Sequence, residues 1–163
     1  MADEIVALYD EQGRECGSAP RSRMRAENLR HAATCIVLRD TAGRIFLHRR
    51  TMTKDMFPGL CDFAAGGVLA AGEDPYAGAV RELAEELGIA VKEPCLAPLT
   101  FASHAYPDFH LLMPLYVCRR WEGTAVSREG QALKWVRPGK LRDLSMPPAD
   151  EPLIPPLIDL LGA

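Results

Sequence analysis

The sequence predicts an α+β sandwich, with strands on both sides of one central helix and a second helix closing the chain. Three observations carry this. Ala79, Val80, Leu83 and Leu87 recur at helical spacing between Pro75, suited to a first helical turn, and Gly88, suited to a C-terminal stop. Short apolar runs at 33–38, 44–49, 111–118 and 132–136 read as strands before and after that helix. A Pro-rich stretch then leads into 153–161, read as the terminal helix.

The other segments follow from turn chemistry. Residues 5–9 and 14–17 flank the polar cluster 10–13, whose Gly13 marks a hairpin. Pro20 introduces a short basic helix over 21–30, and 39–43 is the turn between the first two apolar strands. Residues 51–66 read as loop, with a turn at Pro58-Gly59, and deliver the chain to Gly66-Gly67. Trp121 and Trp135 are read as core.

A chain of 163 residues fits one domain, and 48% hydrophobic with 25% charged residues is ordinary for a soluble protein. No apolar run approaches the ~20 residues of a bilayer span, and the acidic start is unlike a signal peptide, so a cytoplasmic protein without a membrane partner is expected. A net charge of −3 disfavours a long nucleic acid but leaves room for a small anionic ligand. The cysteines at 16, 35, 61, 95 and 118 are odd in number and scattered, which argues for free thiols. The four histidines show no metal-ligand spacing, so structural or surface roles are expected.

The chemistry concentrates on the central helix. Glu82, Glu85 and Glu86 stand at i, i+3 and i+4, so the carboxylates are expected on one face, where like charges repel. A hard cation bound through oxygen relieves that repulsion, and Mg²⁺, which keeps waters and contacts phosphates, is the natural candidate, with Mn²⁺ as a substitute. An acidic surface face is the plainer reading of E-x-x-E-E alone. The surrounding residues change the balance. Gly67, Glu73, Arg81, Glu82, Leu83, Glu85, Glu86, Gly88 and Ile89 fit the spacing G-x5-E-x7-R-E-U-x-E-E-x-G-U, with U a bulky aliphatic. Chance agreement at a given start is on the order of 10⁻⁹ at typical residue frequencies. Gly66 and Gly67 allow close backbone approach, and Glu73 and Arg81 are expected to pair through two parallel hydrogen bonds.

That pattern resembles the Nudix box, here 67–89. The resemblance implies a Nudix α/β/α sandwich with a mixed central sheet, spanning 1–163 as one domain with a hairpin and helix extension at 1–30. It further implies metal contacts at Gly66, Glu82, Glu85 and Glu86, and catalytic roles for Glu82, Glu86 and Arg81, with Glu82 or Glu86 able to orient or deprotonate the attacking water.

A second resemblance covers roughly 95–161. The segment FASHAYPDFH at 101–110, RWEG at 120–123, REGQ at 128–131, Trp135 and PPADEPLI at 147–154 look like the C-terminal half of MutT-type 8-oxo-dGTP diphosphatases. It implies that Glu129 lies near the cations and that Asp150, where such enzymes usually carry Asn, faces the purine edge. Arg50, Gly67 and Tyr106 join Asp150 as expected substrate contacts. Lys54 is a weaker candidate of the same kind, and Phe109 could stack on a base or belong to the core.

The N-terminal half differs. The leading hairpin, MRAENLRHAAT at 24–34 and RRTMTKDMFPG at 49–59 resemble the isopentenyl-diphosphate-isomerase-like Nudix branch. Val68 stands where MutT-type enzymes carry a Lys, and Ala64-Ala65 where they carry Phe-Pro. These features suggest a chimera of two lineages joined within 80–98, the alternative being one divergent lineage.

The expected activity is Mg²⁺-dependent cleavage of a nucleoside triphosphate, 8-oxo-dGTP or a related purine, to monophosphate and pyrophosphate. Hydrolysis of a nucleotide-sugar, dinucleotide or coenzyme is the alternative. Isomerisation of an isoprenoid diphosphate is disfavoured, because the reactive Cys of that branch is absent from 65–68 and Cys61 falls several residues early. A binding module without catalysis is expected to have lost a box carboxylate, and none is missing.

Overall fold

The computed structural model describes residues 2–54 and 56–162, so the chain's first residue and Asp55 of the expected loop lie outside the described residues. The elements in order are β1 (Ile5–Tyr9), β2 (Glu15–Pro20), α1 (Arg21–Ala26), β3 (Ala33–Leu38), β4 (Ile45–Arg49), β5 (Cys61–Asp62), β6 (Ala65–Val68), α2 (Pro75–Leu87), β7 (Leu96–Ala105), β8 (His110–Cys118), β9 (Ala132–Val136) and α3 (Ile154–Leu161). Single 3₁₀ turns occupy Glu93–Cys95, Pro138–Asp143 and Glu151–Leu153.

A four-stranded mixed sheet runs β6-β3-β8-β7, with β3 and β8 parallel and the other pairs antiparallel. A three-stranded antiparallel sheet runs β5-β4-β9, and β1-β2 form the separate N-terminal hairpin. Strand alternation divides the core. On β3, Ile36 and Leu38 pack under α2 with Phe46, Ala79, Leu83 and Leu87, while Val37 faces a second cluster with Leu47, Leu115, Leu157 and Leu161 of α3. Helices therefore cover opposite faces, the expected α/β/α arrangement with a mixed sheet.

Four expectations need correction. The segment 51–66 is not all loop: β5 and the start of β6 lie within it, short pieces whose strand geometry comes from pairing with β4 and β3. The long strand β7 was not anticipated, because Pro98 interrupts its pattern. Pro is tolerated there because β7 is an edge strand whose register shifts between Pro98 and Thr100. Helix α1 stops at Ala26 instead of reaching 30, since Asn28 adopts a left-handed φ of 50° and the Leu29 N–H donates to the Met24 carbonyl at 2.9 Å, a helix-stop geometry. Trp121 and Trp135 are half-buried at the margin of the α2 cluster, stacked face to face with centroids 5.7 Å apart. The five cysteines are free, as expected.

The extension is tied to the body by its own small core. Val6 and Met24 pack on Val68, and the Ala7 N–H donates to the Leu69 carbonyl at 3.1 Å. This explains why an apolar residue stands at 68: a Lys there would bury its charge beneath α1.

Candidate active site

Helix α2 begins at Asp74, whose side chain accepts from the Tyr76 N–H at 2.9 Å, and ends at Gly88 in the left-handed region. Its last turn is capped from a distance. The Val126 N–H donates to the Leu87 carbonyl at 3.0 Å and the Arg128 N–H to the Glu86 carbonyl at 3.1 Å. This docking brings Glu129 to the carboxylate end of the helix.

The three box carboxylates do not share one environment. Glu82 and Glu86 are buried, at 8% and 9% exposure, while the Glu85 side chain is 60% exposed. The backbone explains the split. A Cβ on Gly67 would come within 2.7 Å of the Glu82 carboxyl carbon, and one on Gly66 would run into the Thr34 carbonyl, so only the diglycine lets β6 lie against these side chains. The Gly66 N–H donates to Glu86 Oε2 at 3.3 Å.

Charge is distributed around them. Arg81 grips Glu73 through Nε and Nη2 at 2.8 and 2.9 Å, the expected two-bond pair, and its Nη1 bridges Glu82 and Glu85 at 2.9 and 3.0 Å. Arg81 thus ties the loop before α2 to the carboxylate face. Burial pushes the Glu82 carboxyl up, and burial together with the Glu129 charge pushes Glu86 up to about 7. Glu129 pairs with Lys54 at 3.4 Å. Among the described residues no three acidic, Cys or His groups are gathered into a metal-binding set, and Arg81 and Lys54 hold Glu82, Glu85 and Glu129 as ion-pair partners.

Three of the other expected contacts meet in a cleft of about 690 Å³. Arg50, Tyr106 and Asp150 all line it. Tyr106 stacks on Phe109 at 4.8 Å between centroids, lies 5.7 Å from Phe57, and accepts from the Ala149 N–H at 3.3 Å. Arg50 donates to the Met56 carbonyl at 3.2 Å and pairs with Asp62 at 3.3 Å. Asp62 also accepts from the Ala64 N–H at 2.9 Å, and His48 Nε2 lies 3.6 Å away, an electrostatic contact longer than a hydrogen bond. Burial opposes ionisation of Asp62, yet His48, the Ala64 N–H and Arg50 together hold its carboxyl below the usual range. Asp150 is buried and, driven by burial and then by the Asp62 charge, is pushed up to about 8.

Sequence reasoning missed Asp62, His48 and Phe57, and also the cleft wall supplied by Met24, Asn28 and His31 of the extension. Asp62 sat in a stretch read as loop, and its pairing across β5 and β4 with His48 is the register that brings it in. Alternation along 44–49 was the one available signal for His48, because it places that residue on the Phe46 face.

Comparison with known proteins agrees with this architecture. A Nudix hydrolase of Rhodococcus erythropolis, orf19, is 49% identical over 89 residues, 54% of this chain and 48% of that protein. The Nudix hydrolase YfcD of Salmonella typhi is 40% identical over 121 residues, 72% of this chain and 58% of the relative. The chain thus spans about half the length of the curated relatives it matches. A structure of MutT, from work on Aliivibrio salmonicida and Vibrio cholerae, superposes with a TM-score of 0.66 at 25% identity, covering 80% of this chain and 98% of that one. The NUDIX domain pattern itself matches residues 29–157, from the end of the extension to the closing helix, and the chain belongs to the Nudix hydrolase family.

Proposed function

We propose that this chain is a Mg²⁺-dependent hydrolase that cleaves a nucleoside triphosphate to a monophosphate and pyrophosphate, with 8-oxo-dGTP or a related purine nucleotide as substrate. One observation carries the reading: a buried, self-repelling carboxylate pair, Glu82 and Glu86, lies against the Gly66-Gly67 backbone, which also leads from the cleft residue Asp62. The donor chemistry suits a hard cation, which would have to draw Glu82, Glu85 and Glu129 from their ion pairs with Arg81 and Lys54. The donor oxygens are carboxylates, Glu86 is raised to about 7 by burial and the charge of Glu129, and a Cβ on Gly67 would collide with Glu82.

Gly66, Glu82, Glu85, Glu86 and Glu129 would hold the cation, which when bound screens phosphate charge and lowers the pKa of an attacking water. Glu82 or Glu86 orients or deprotonates that water. Arg81, which spends its guanidinium on Glu73, Glu82, Glu85 and the Val68 carbonyl, acts as a positioning residue for Glu82 and Glu85. Arg50 faces the substrate's phosphates from the cleft, Gly67 lets the chain approach them, Tyr106 offers a ring face to the base and Asp150 its carboxyl. The protein acts as one domain with its extension at 1–30, in the cytoplasm, on a small molecule. Among the described residues no helix is long and apolar enough to cross a membrane.

A nucleotide-sugar, dinucleotide or coenzyme substrate is favoured by one observation of its own: the extension walls the same cleft, leaving room to contact a second moiety. A panel of nucleoside triphosphates, nucleotide-sugars and dinucleotides, assayed with Mg²⁺ or Mn²⁺, separates the readings. We expect pyrophosphate release from purine triphosphates. Cleavage of nucleotide-sugars alone would overturn the triphosphate assignment.

A further inference from the structure

His48 of β4 is 7% exposed, and among the described residues neither of its ring nitrogens has a hydrogen-bond partner. An imidazole carries at least one N–H in every protonation state, so a buried donor here lacks an acceptor. Buried polar groups are nearly always satisfied, and one left over points to a partner gained in another state of the protein. Strand pairing sets His48 opposite Asp62, and the tilted Phe46 ring, 5.3 Å away between centroids, backs the imidazole. Nε2 lies 3.6 Å from Asp62 Oδ2, about half an ångström beyond a good hydrogen bond. That same oxygen is held at 3.3 Å by Arg50 Nη1, while the other accepts from the Ala64 N–H at 2.9 Å.

We propose that His48 is a positioning residue for Arg50: it takes over the Asp62 carboxylate when Arg50 leaves Asp62 for a phosphate of the substrate. The proposal rests on the phosphate role given to Arg50 above. Arg50 lines the cleft, and besides Asp62 its guanidinium is held by the Met56 carbonyl at 3.2 Å. Turning it to a phosphate strips the half-buried Asp62 of its ion pair, and an uncompensated carboxylate out of water is costly. A shift of about half an ångström gives Asp62 Oδ2 the His48 N–H instead, which satisfies both groups at once. The imidazole thereby lowers the cost of freeing Arg50. His48 touches neither substrate nor metal in this role and acts through Asp62 alone.

¹H–¹⁵N NMR of the His48 ring in the whole chain, at fixed pH with Mg²⁺ present throughout, reads the handover directly. In Arg50→Ala without ligand, Asp62 has lost its competing donor, so the His48 ring N–H should lie downfield of its wild-type position. Inorganic pyrophosphate bound to the wild type should produce the same displacement, and it should add none in Arg50→Ala. A ring resonance indifferent to Arg50→Ala, or to pyrophosphate bound in the wild type, overturns the proposal.

Kinetics separate this role from a structural one. His48→Phe keeps a ring against Phe46 but has no N–H, and it should raise KM about tenfold while kcat stays within about twofold. In an Asp62→Asn background, where no charge needs a new partner, the same substitution should change KM by less than about twofold. An equal tenfold rise in both backgrounds overturns the relay. So does a fall in kcat at constant KM, which would assign His48 to Glu86, a carboxylate that also feels its charge. Should His48→Phe fail to fold, the Arg50→Ala spectrum decides without it. A handover seen by NMR in a chain that cleaves no nucleoside triphosphate supports His48 and sinks the nucleotide reading, while triphosphate cleavage with an unmoved His48 resonance does the reverse.

Discussion

The carboxylate end of α2 and the neighbouring cleft are built in opposite ways. The first is local: Glu73, Arg81, Glu82, Glu85 and Glu86 come from one stretch of chain, organised by helical periodicity and a single Arg fork. The second is assembled. Its lining comes from the extension, the segment after β4, β5, the β7–β8 turn and the loop before α3. The contrast implies that damage at the helix end should act on every substrate alike, through kcat, whereas damage in the cleft should act selectively, through KM.

The largest effect is expected at the helix. Glu86→Gln should reduce kcat/KM by more than about tenfold, over ~1.4 kcal/mol, to the same degree on purine and pyrimidine triphosphates. Without metal its melting temperature should hold or rise, because the change removes a buried, repelled carboxylate. A purine-selective loss would erase the distinction between the two regions. Asp150→Ala comes next. It should raise KM for 8-oxo-dGTP over a pyrimidine triphosphate by ~1–3 kcal/mol, with kcat changed less, and equal losses on all nucleotides would remove the 147–152 loop from base recognition.

Asp150 also makes stability depend on pH. Its carboxyl is raised from 3.8 to about 8 in the folded chain, so its contribution is fully present below the unfolded value and is lost as pH rises through about 8. Thermal melts should show Asp150→Asn gaining on wild type across that window and running parallel above it. A constant difference from acid to alkaline pH would mean that folding leaves the carboxyl's titration unshifted.

A smaller change is expected from Glu129→Gln, which removes a charge from the edge of the carboxylate cluster and should raise the Mg²⁺ concentration needed for half-maximal rate by a few fold. Wild-type behaviour across a Mg²⁺ titration would detach that loop from the metal region. The smallest effect belongs to Lys54→Ala. Its 3.4 Å pair with Glu129 joins two half-exposed side chains, so unfolding should shift by less than about 1 kcal/mol in urea denaturation.

Legibility followed the same division. The box, α2 with both its ends, β3 and β9 could be read from spacing, Pro and Gly placement and apolar runs, because those signals act within a few residues of where they are written. The environment of the carboxylates could not. Spacing put Glu82, Glu85 and Glu86 on one face, but the close approach of β6 buried two of them and left Glu85 in solvent. Val68 read as a missing cation, and its neighbours Val6 and Met24 supplied the reason.

By itself the sequence determined the family, the central helix and the residues that concentrate negative charge on it, since a helix converts spacing into direction without help from the rest of the chain. The tertiary structure alone decided that Asp62 and Asp150 line one cleft, that the extension walls it and that Glu129 reaches the end of α2. Each of these depends on strand register or on a cap donated from afar. Such contacts join segments tens of residues apart, and their free energy comes from burial and pairing that no local pattern records.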